Sequence, residues 1–241
     1  MSLKFIYAII FLPLCSITSL ASELYEDFST KCKGGELPNG WAPMSQSARI
    51  TPTRTDWDAQ VLVFGGNRSD DLAGWVRQVP MLNIGEVGTY YFEFSLQHDQ
   101  VNHYIGISST LAKAMKDESN LKASVILRNS SSGFGVDLLA ALPDGKSSVI
   151  SANMEPAEGV YYSMWLVLDT VAFTYDVYLK EAGTGAASED DLVAKGVDFN
   201  KIAKRDLQTV AVMSKRSSEL KSGAILLKNL AFAKGCQLNR F

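Results

Sequence analysis

Between Gly159 and Lys180 the chain reads GVYYSMWLVLDTVAFTYDVYLK, and its apolar positions change pattern halfway. In the second half Phe173, Tyr175, Val177 and Leu179 alternate with Thr174, Asp176, Tyr178 and Lys180. A period of two sends successive side chains to opposite faces, which predicts a strand with one face on a core and the other towards water. The first half, Tyr161 to Leu168, carries β-branched, aromatic and aliphatic residues on both faces. That pattern predicts a strand in the middle of a sheet, with Trp165 buried among its aliphatic neighbours.

Similar runs recur along the chain, at Leu24–Phe28, Ala59–Phe64, Gly74–Val79, Gly88–Gln97, Tyr104–Ser108, Ala123–Leu127, Gly133–Leu139, Ser147–Ser151, Gln208–Met213 and Ala224–Ala231. Asn39-Gly40, Gly65-Gly66, Pro143-Asp144-Gly145 and Glu158-Gly159 supply turns between them. So many strands in one domain need two packed sheets, so the expected class is all-β, a two-sheet antiparallel sandwich. Helical signal is sparse. Leu111 to Glu118 predicts one short surface helix, and Ser188 before Glu189-Asp190-Asp191 predicts a second, capped start with acids where a helix dipole favours them. The acidic cluster is read as a solvated loop or helix end in preference to a metal site.

Composition changes the picture mainly at the ends. Lys4, the apolar run Phe5 to Leu14 and the small-residue end Ser19-Leu20-Ala21 form the three parts of a secretory signal peptide, so residues 1–21 are expected to be removed and 22–241 to form one domain. The apolar run is shorter than the roughly 20 residues of a membrane-spanning helix, and Leu14 is bulky for lipid attachment at Cys15. The expected location is outside the cell, in a periplasm or at a cell surface. A net charge of −3 with scattered basic residues offers no field for nucleic acid. Of three cysteines, Cys15 goes with the signal, and the remaining even pair, Cys32 and Cys236, suggests a disulfide in an exported chain, two free buried thiols being the alternative. Asn67-Arg68-Ser69 and Asn129-Ser130-Ser131 are acceptor sequons in a eukaryotic secretory pathway.

At the front, LYEDFSTKCKGGELPNGW joins an acidic-Phe pair to a Gly-rich turn and a Leu-Pro-x-Gly-Trp stretch ending at Trp41; at the back, GAILLKNLAFAKGCQLNRF runs an Asn-centred strand into a Gly and a short tail. With YYSMWLVLDT and FTYDVYLK between them, the chain resembles the concanavalin A-like lectin/glucanase superfamily, in particular its exported bacterial jelly-roll and laminin-G-like modules. The resemblance covers most of residues 22–241 and implies a jelly roll whose first and last strands lie side by side, which is what would bring Cys32 and Cys236 within bridging reach.

Glucanases of this superfamily carry a Glu-x-Asp-x-x-Glu run on one strand, and no such run is present: Gly88–Gln97 holds only Glu93. Alginate-lyase-like members use Arg, Gln, His and Tyr, for which Arg77, His98, His103 and Tyr178 are the candidates here. Their Gln-x-His triplet is missing, because Gln97 and His98 are adjacent and would point to opposite faces. The mature chain has neither a Gly-x-Ser-x-Gly elbow nor clustered zinc ligands. Asp70, Asp71 and Asp137 are oxygen donors for a structural calcium of the kind the resemblance implies, set against simple solvated aspartates. Sugar recognition needs aromatic platforms beside polar groups, and Trp57, Trp75, Tyr90 and Tyr104 are the candidate binding residues, each weighed against a place in the core. The expected function is a secreted, non-catalytic carbohydrate-binding or adhesive domain whose partner is an extracellular poly- or oligosaccharide. The alternatives are a polysaccharide lyase or glycoside hydrolase, and a laminin-G-like protein-interaction domain.

Overall fold

The computed structural model describes residues 23–26, 40–44, 72–97, 101–130, 133–141, 147–151, 155–183, 185–200, 205–216 and 224–239. These form two antiparallel sheets. In the six-stranded sheet the order is β1 (Glu23–Glu26), β13 (Ala224–Lys234), β4 (Val87–Gln97), β9 (Tyr161–Asp169), β10 (Thr174–Glu181) and β11 (Leu192–Asp198). In the seven-stranded sheet it is β2 (Trp41–Pro43), β3 (Leu72–Leu82), β12 (Leu207–Arg216), β5 (Val101–Ser108), β6 (Ala123–Ser130), β7 (Gly133–Ala141) and β8 (Ser147–Ser151).

The core lies between the sheets and follows the period of two. Tyr90, Phe92, Phe94 and Leu96 of β4, Met164, Leu166 and Leu168 of β9, and Tyr175, Val177 and Leu179 of β10 point inward from the six-stranded sheet. They meet Trp75 and Val79 of β3, Ile105 and Ile107 of β5, Val125 and Leu127 of β6, and Val210 and Val212 of β12. The close pairing of β5 and β6 needs a glycine: a Cβ on Gly106 would lie 2.5 Å from the Ala123 carbonyl oxygen and 2.6 Å from the Ser124 Cβ.

The β9–β10 pair matches the alternation read from the sequence, with Trp165 buried in a strand flanked on both sides. β1 pairs with β13, so the first and last strands do lie side by side. Two strands were not expected. β2 has three residues and ends in Pro43, too short to show a period. β11 is interrupted by Gly196 at φ 62, and its register on β10 shifts twice. The segment expected to be a surface helix forms two 3-10 turns, Ala112–Ala114 and Glu118–Asn120, the second capped by Asp117. Ser188 caps a single 3-10 turn, Glu189–Asp191, sharing a capping box with Asp191. The expected strand at 59–64 lies outside the described residues.

Candidate functional site on the six-stranded sheet

Each sheet has an outward face, and chain covers the centre of both. On the seven-stranded sheet Val76, Tyr104, Ile126, Ala211 and Met213 form an apolar outer cluster, capped by Met115 and Leu121 of the β5–β6 connection. That connection is tied down by Lys122 N donating 2.8 Å to the Ile107 carbonyl and by Ser108 Oγ donating 2.6 Å to the Asn120 carbonyl.

The outward face of the six-stranded sheet is divided. One half is apolar: Tyr91, Trp165, Tyr178 and Ala231 stand side by side on neighbouring strands, with the Tyr91 and Trp165 ring centroids 5.1 Å apart. The segment after β13 crosses this half. Trp165 Nε1 donates 2.9 Å to the Asn239 carbonyl, Thr89 Oγ1 donates 2.8 Å to the Gly235 carbonyl, and Gln237 N returns 3.0 Å to Thr89 Oγ1.

The other half is polar, and it is the candidate site. Odd-numbered residues of β4 and β9 face outward, which sets Glu93 beside Ser163 and Ser95 beside Tyr161. Lys228 of β13 stands in register with Glu93, and Lys180 of β10 with Ser163. Tyr91 Oη donates to Glu93 Oε1 in a short contact, and Asn229 Nδ2 donates 3.0 Å to Glu93 Oε2. Tyr91 Oη and Ser163 Oγ are 3.0 Å apart. A carboxylate only accepts, so the Tyr91 proton goes to Glu93 and Ser163 donates to Tyr91. Glu93 is 1% exposed, whereas Asn229, Tyr161 and Lys180 at the margins are half-buried. The polar half is thus a band with a buried carboxylate in its floor and an amide, a phenol and an ammonium along its rim.

Electrostatics follow from that layering. Burial pushes the Tyr161 phenol above its ordinary value of 10.0, and the Glu93 charge adds to the rise. At the far end Lys180 Nζ lies 3.3 Å from Asp191 Oδ2. Burial works to raise the Asp191 carboxyl, but bonds from Ser188 N and Oγ and from Lys180 outweigh it and hold it below 3.8.

The expected site residues fall elsewhere. Trp75 and Tyr90 are in the inter-sheet core, and Tyr104 is in the capped outer cluster of the seven-stranded sheet, so none of the three is placed as an open platform. Trp57, His98, Asp70 and Asp71 lie outside the described residues, as does the side chain of Asp137, whose backbone pairs with Ile126 and Ser151. Arg77 and His103 share the inward face of the seven-stranded sheet but do not meet. Arg77 is in register with Val210, itself paired with Ile107, four residues along β5 from His103. That register puts them about 16 Å apart at ordinary strand spacings. His103 is fully buried with Nδ1 2.6 Å from Ser214 Oγ. Tyr178, expected on a watered face, is 5% exposed on the opposite sheet under chain distant in sequence. The lyase-like set is therefore not assembled by Arg77, His103 and Tyr178. Among the described residues no three His, Cys, Asp or Glu side chains cluster as metal ligands.

Cys236 is half-buried against the Tyr91–Trp165 cluster, and Cys32 lies outside the described residues. The register of β1 constrains a bridge between them. Glu26 pairs with Leu230, and from that antiparallel pair the chain runs six residues to Cys32 in one direction and six to Cys236 in the other. Bridging requires residues 27–32 to turn back along β13.

Sequence reading isolated Glu93 but missed Tyr91, Ser163 and Asn229. The period of two in Gly88–Gln97 already put Tyr91 and Glu93 on one face. Nothing in the sequence signals the β13 bulge that brings Asn229 to them.

No family model and no curated protein matches this chain. Solved structures do. The carbohydrate recognition domain of Emp47p aligns at a TM-score of 0.55 with 9% identity, over 87% of this chain and 94% of that one. Peanut lectin aligns at 0.54 with 10% identity, over 86% and 95%, and the globular domain of T. cruzi calreticulin at 0.54 with 10% identity, over 82% and 85%. A sialidase aligns at 0.53 with 13% identity over 80% of this chain, which corresponds to only 17% of that protein's length. Strand order, two-sheet packing and these alignments agree: the chain has a concanavalin A-like jelly-roll fold.

Proposed function

We propose that this chain is an exported carbohydrate-binding domain that holds its glycan against the outward face of the six-stranded sheet, along the band from Asn229 to Tyr161. The observation that carries the reading is the convergence of Glu93, Tyr91, Ser163 and Asn229 on outward positions of three adjacent strands, with the Tyr161 ring at the margin. Sugar sites combine an aromatic face with a few fixed polar groups, and this band offers both. The fold supports the same reading, because a carbohydrate recognition domain and a lectin share it. Export is inferred from the leader at residues 1–21, and it is the setting in which a Cys32–Cys236 bridge would persist. Among the described residues no helix is long and apolar enough to cross a membrane.

The test is glycan-array and polysaccharide pull-down binding with residues 22–241, wild type against Tyr161→Ala, with and without a calcium chelator. Binding by the wild type that falls about tenfold in the variant is expected, a loss of roughly 1.4 kcal/mol. Wild-type binding that Tyr161→Ala leaves intact removes this face from the reading, and binding unchanged by the chelator removes calcium from it. Trp57 is the alternative platform to substitute in that event.

A further inference from the structure

Asn229 sits at φ 54, in the left-handed region, where β13 bulges between Lys228 and Leu230. Among the described residues only Phe173 shares a positive φ without being glycine, and it lies in the β9–β10 turn. A left-handed residue inside a strand is strained, and asparagine tolerates that conformation better than most side chains. The bulge re-aims the side chain. Instead of alternating with its neighbours, the Asn229 amide reaches across to β4 and donates 3.0 Å to Glu93 Oε2.

That bond also fixes which way the amide faces. Glu93 as a carboxylate has no proton to give, so Nδ2 and not Oδ1 must face it. Glu93 is itself buried and held by Tyr91. Asn229 is half-buried, and its remaining N–H and its Oδ1 make no other hydrogen bond among the described residues. A donor and an acceptor are thereby presented side by side at the margin of the band, in an orientation the amide cannot flip without losing Glu93.

We propose that Asn229 is a ligand-contacting residue that donates to one hydroxyl and accepts from the adjacent hydroxyl of a neutral sugar ring, with Glu93 as the positioning residue behind it. The assignment rests on the carbohydrate-binding reading above and names the class of sugar for it. Neutral rather than carboxylated sugars follow from the charge behind the amide. The Glu93 carboxylate lies directly in the floor, its field reaches the Tyr161 phenol, and Lys180 is engaged by Asp191.

Calorimetric titration of residues 22–241 with soluble β-glucan, mannan, galactan and polygalacturonate tests the assignment, using wild type and Asn229→Gly. Glycine adopts the left-handed conformation without strain, so this substitution removes the amide and keeps the bulge. The expected result is binding to at least one neutral polymer in preference to polygalacturonate, weakened about tenfold or more in Asn229→Gly at a temperature where that variant is fully folded. Full binding by Asn229→Gly overturns the assignment while leaving the carbohydrate reading standing. A preference for polygalacturonate overturns the neutral class. Wild type that binds none of the four, nor any glycan on the array, overturns both. If Asn229→Gly is poorly folded, Asn229→Ala, which also removes the amide and adds no charge, is read against the same outcomes.

Discussion

The two outward faces of the sandwich are built from the same alternation, yet they carry different residues. On the seven-stranded sheet the outward row of Val76, Tyr104, Ala211, Met213 and Ile126 is roofed by Met115 and Leu121, a second small core. On the six-stranded sheet the outward row divides, and half of it buries Glu93, Ser95 and Ser163 where apolar residues would pack more simply. Burying a carboxylate is costly unless it is hydrogen-bonded, and here Tyr91 and Asn229 both serve it. Where a fold has a cheaper alternative at equivalent strand positions, a satisfied polar cluster is the more informative place to look for function.

The largest effect should come from the packed face. Leu121 is fully buried, and Leu121→Ala should cost about 2–5 kcal/mol in chemical denaturation while the folded protein keeps its glycan affinity. Loss of affinity at retained stability would move the site to the seven-stranded sheet and break the comparison.

A smaller loss is expected from the polar face. Tyr91→Phe keeps the ring against Trp165 but removes the hydroxyl that joins Ser163 to Glu93, at about 1–3 kcal/mol, with weaker glycan binding as the second readout. A neutral outcome in both measurements would reduce the cluster to filler.

The smallest effect separates buried polar contacts from exposed ones. Glu86 Oε1 accepts 2.9 Å from Lys234 Nζ on the surface, with side chains 32% and 53% exposed. The bond from Lys234, helped by those from Asn83, holds the Glu86 carboxyl below its ordinary 4.5. A depressed carboxyl contributes stability above its unfolded value and loses it as pH falls through the folded one. Wild type should therefore lose stability relative to Lys234→Ala as pH falls below about 4.5. Solvent screening keeps that difference under about 1 kcal/mol. Thermal midpoints of the two proteins across that range measure it, and a difference that grows on acidification would contradict the sign.

Much of the fold was legible because period and length sufficed. Tyr175, Val177 and Leu179 alternate cleanly, and the doubly apolar Tyr161–Leu168 run does lie inside a sheet. What escaped depended on contacts between distant segments. Tyr178 has the alternation of a watered residue, but the chain after β13 and the Ala187–Leu192 region close over it. Trp75 and Tyr90 favour the core when each is read singly but stay candidates for a platform, and which face they take is settled only by register against β12 and β9. The candidate site was half legible: Glu93 and Tyr91 share a parity in one strand, while Asn229 joins them through a single bulge in another.

The β1–β13 pairing also determines how the domain answers to force. Glu23 lies opposite Phe232, so the chain enters β1 and leaves β13 at the same end of the sheet. A pull applied through residues on either side would not shear the whole ladder at once. It would first lift the segment bonded to Thr89 and Trp165, then part β1 from β13 one pair at a time. Loaded through those ends, the module would yield at low force and uncover the Tyr91–Trp165 half, while the Met115–Leu121 roof of the seven-stranded sheet stays closed.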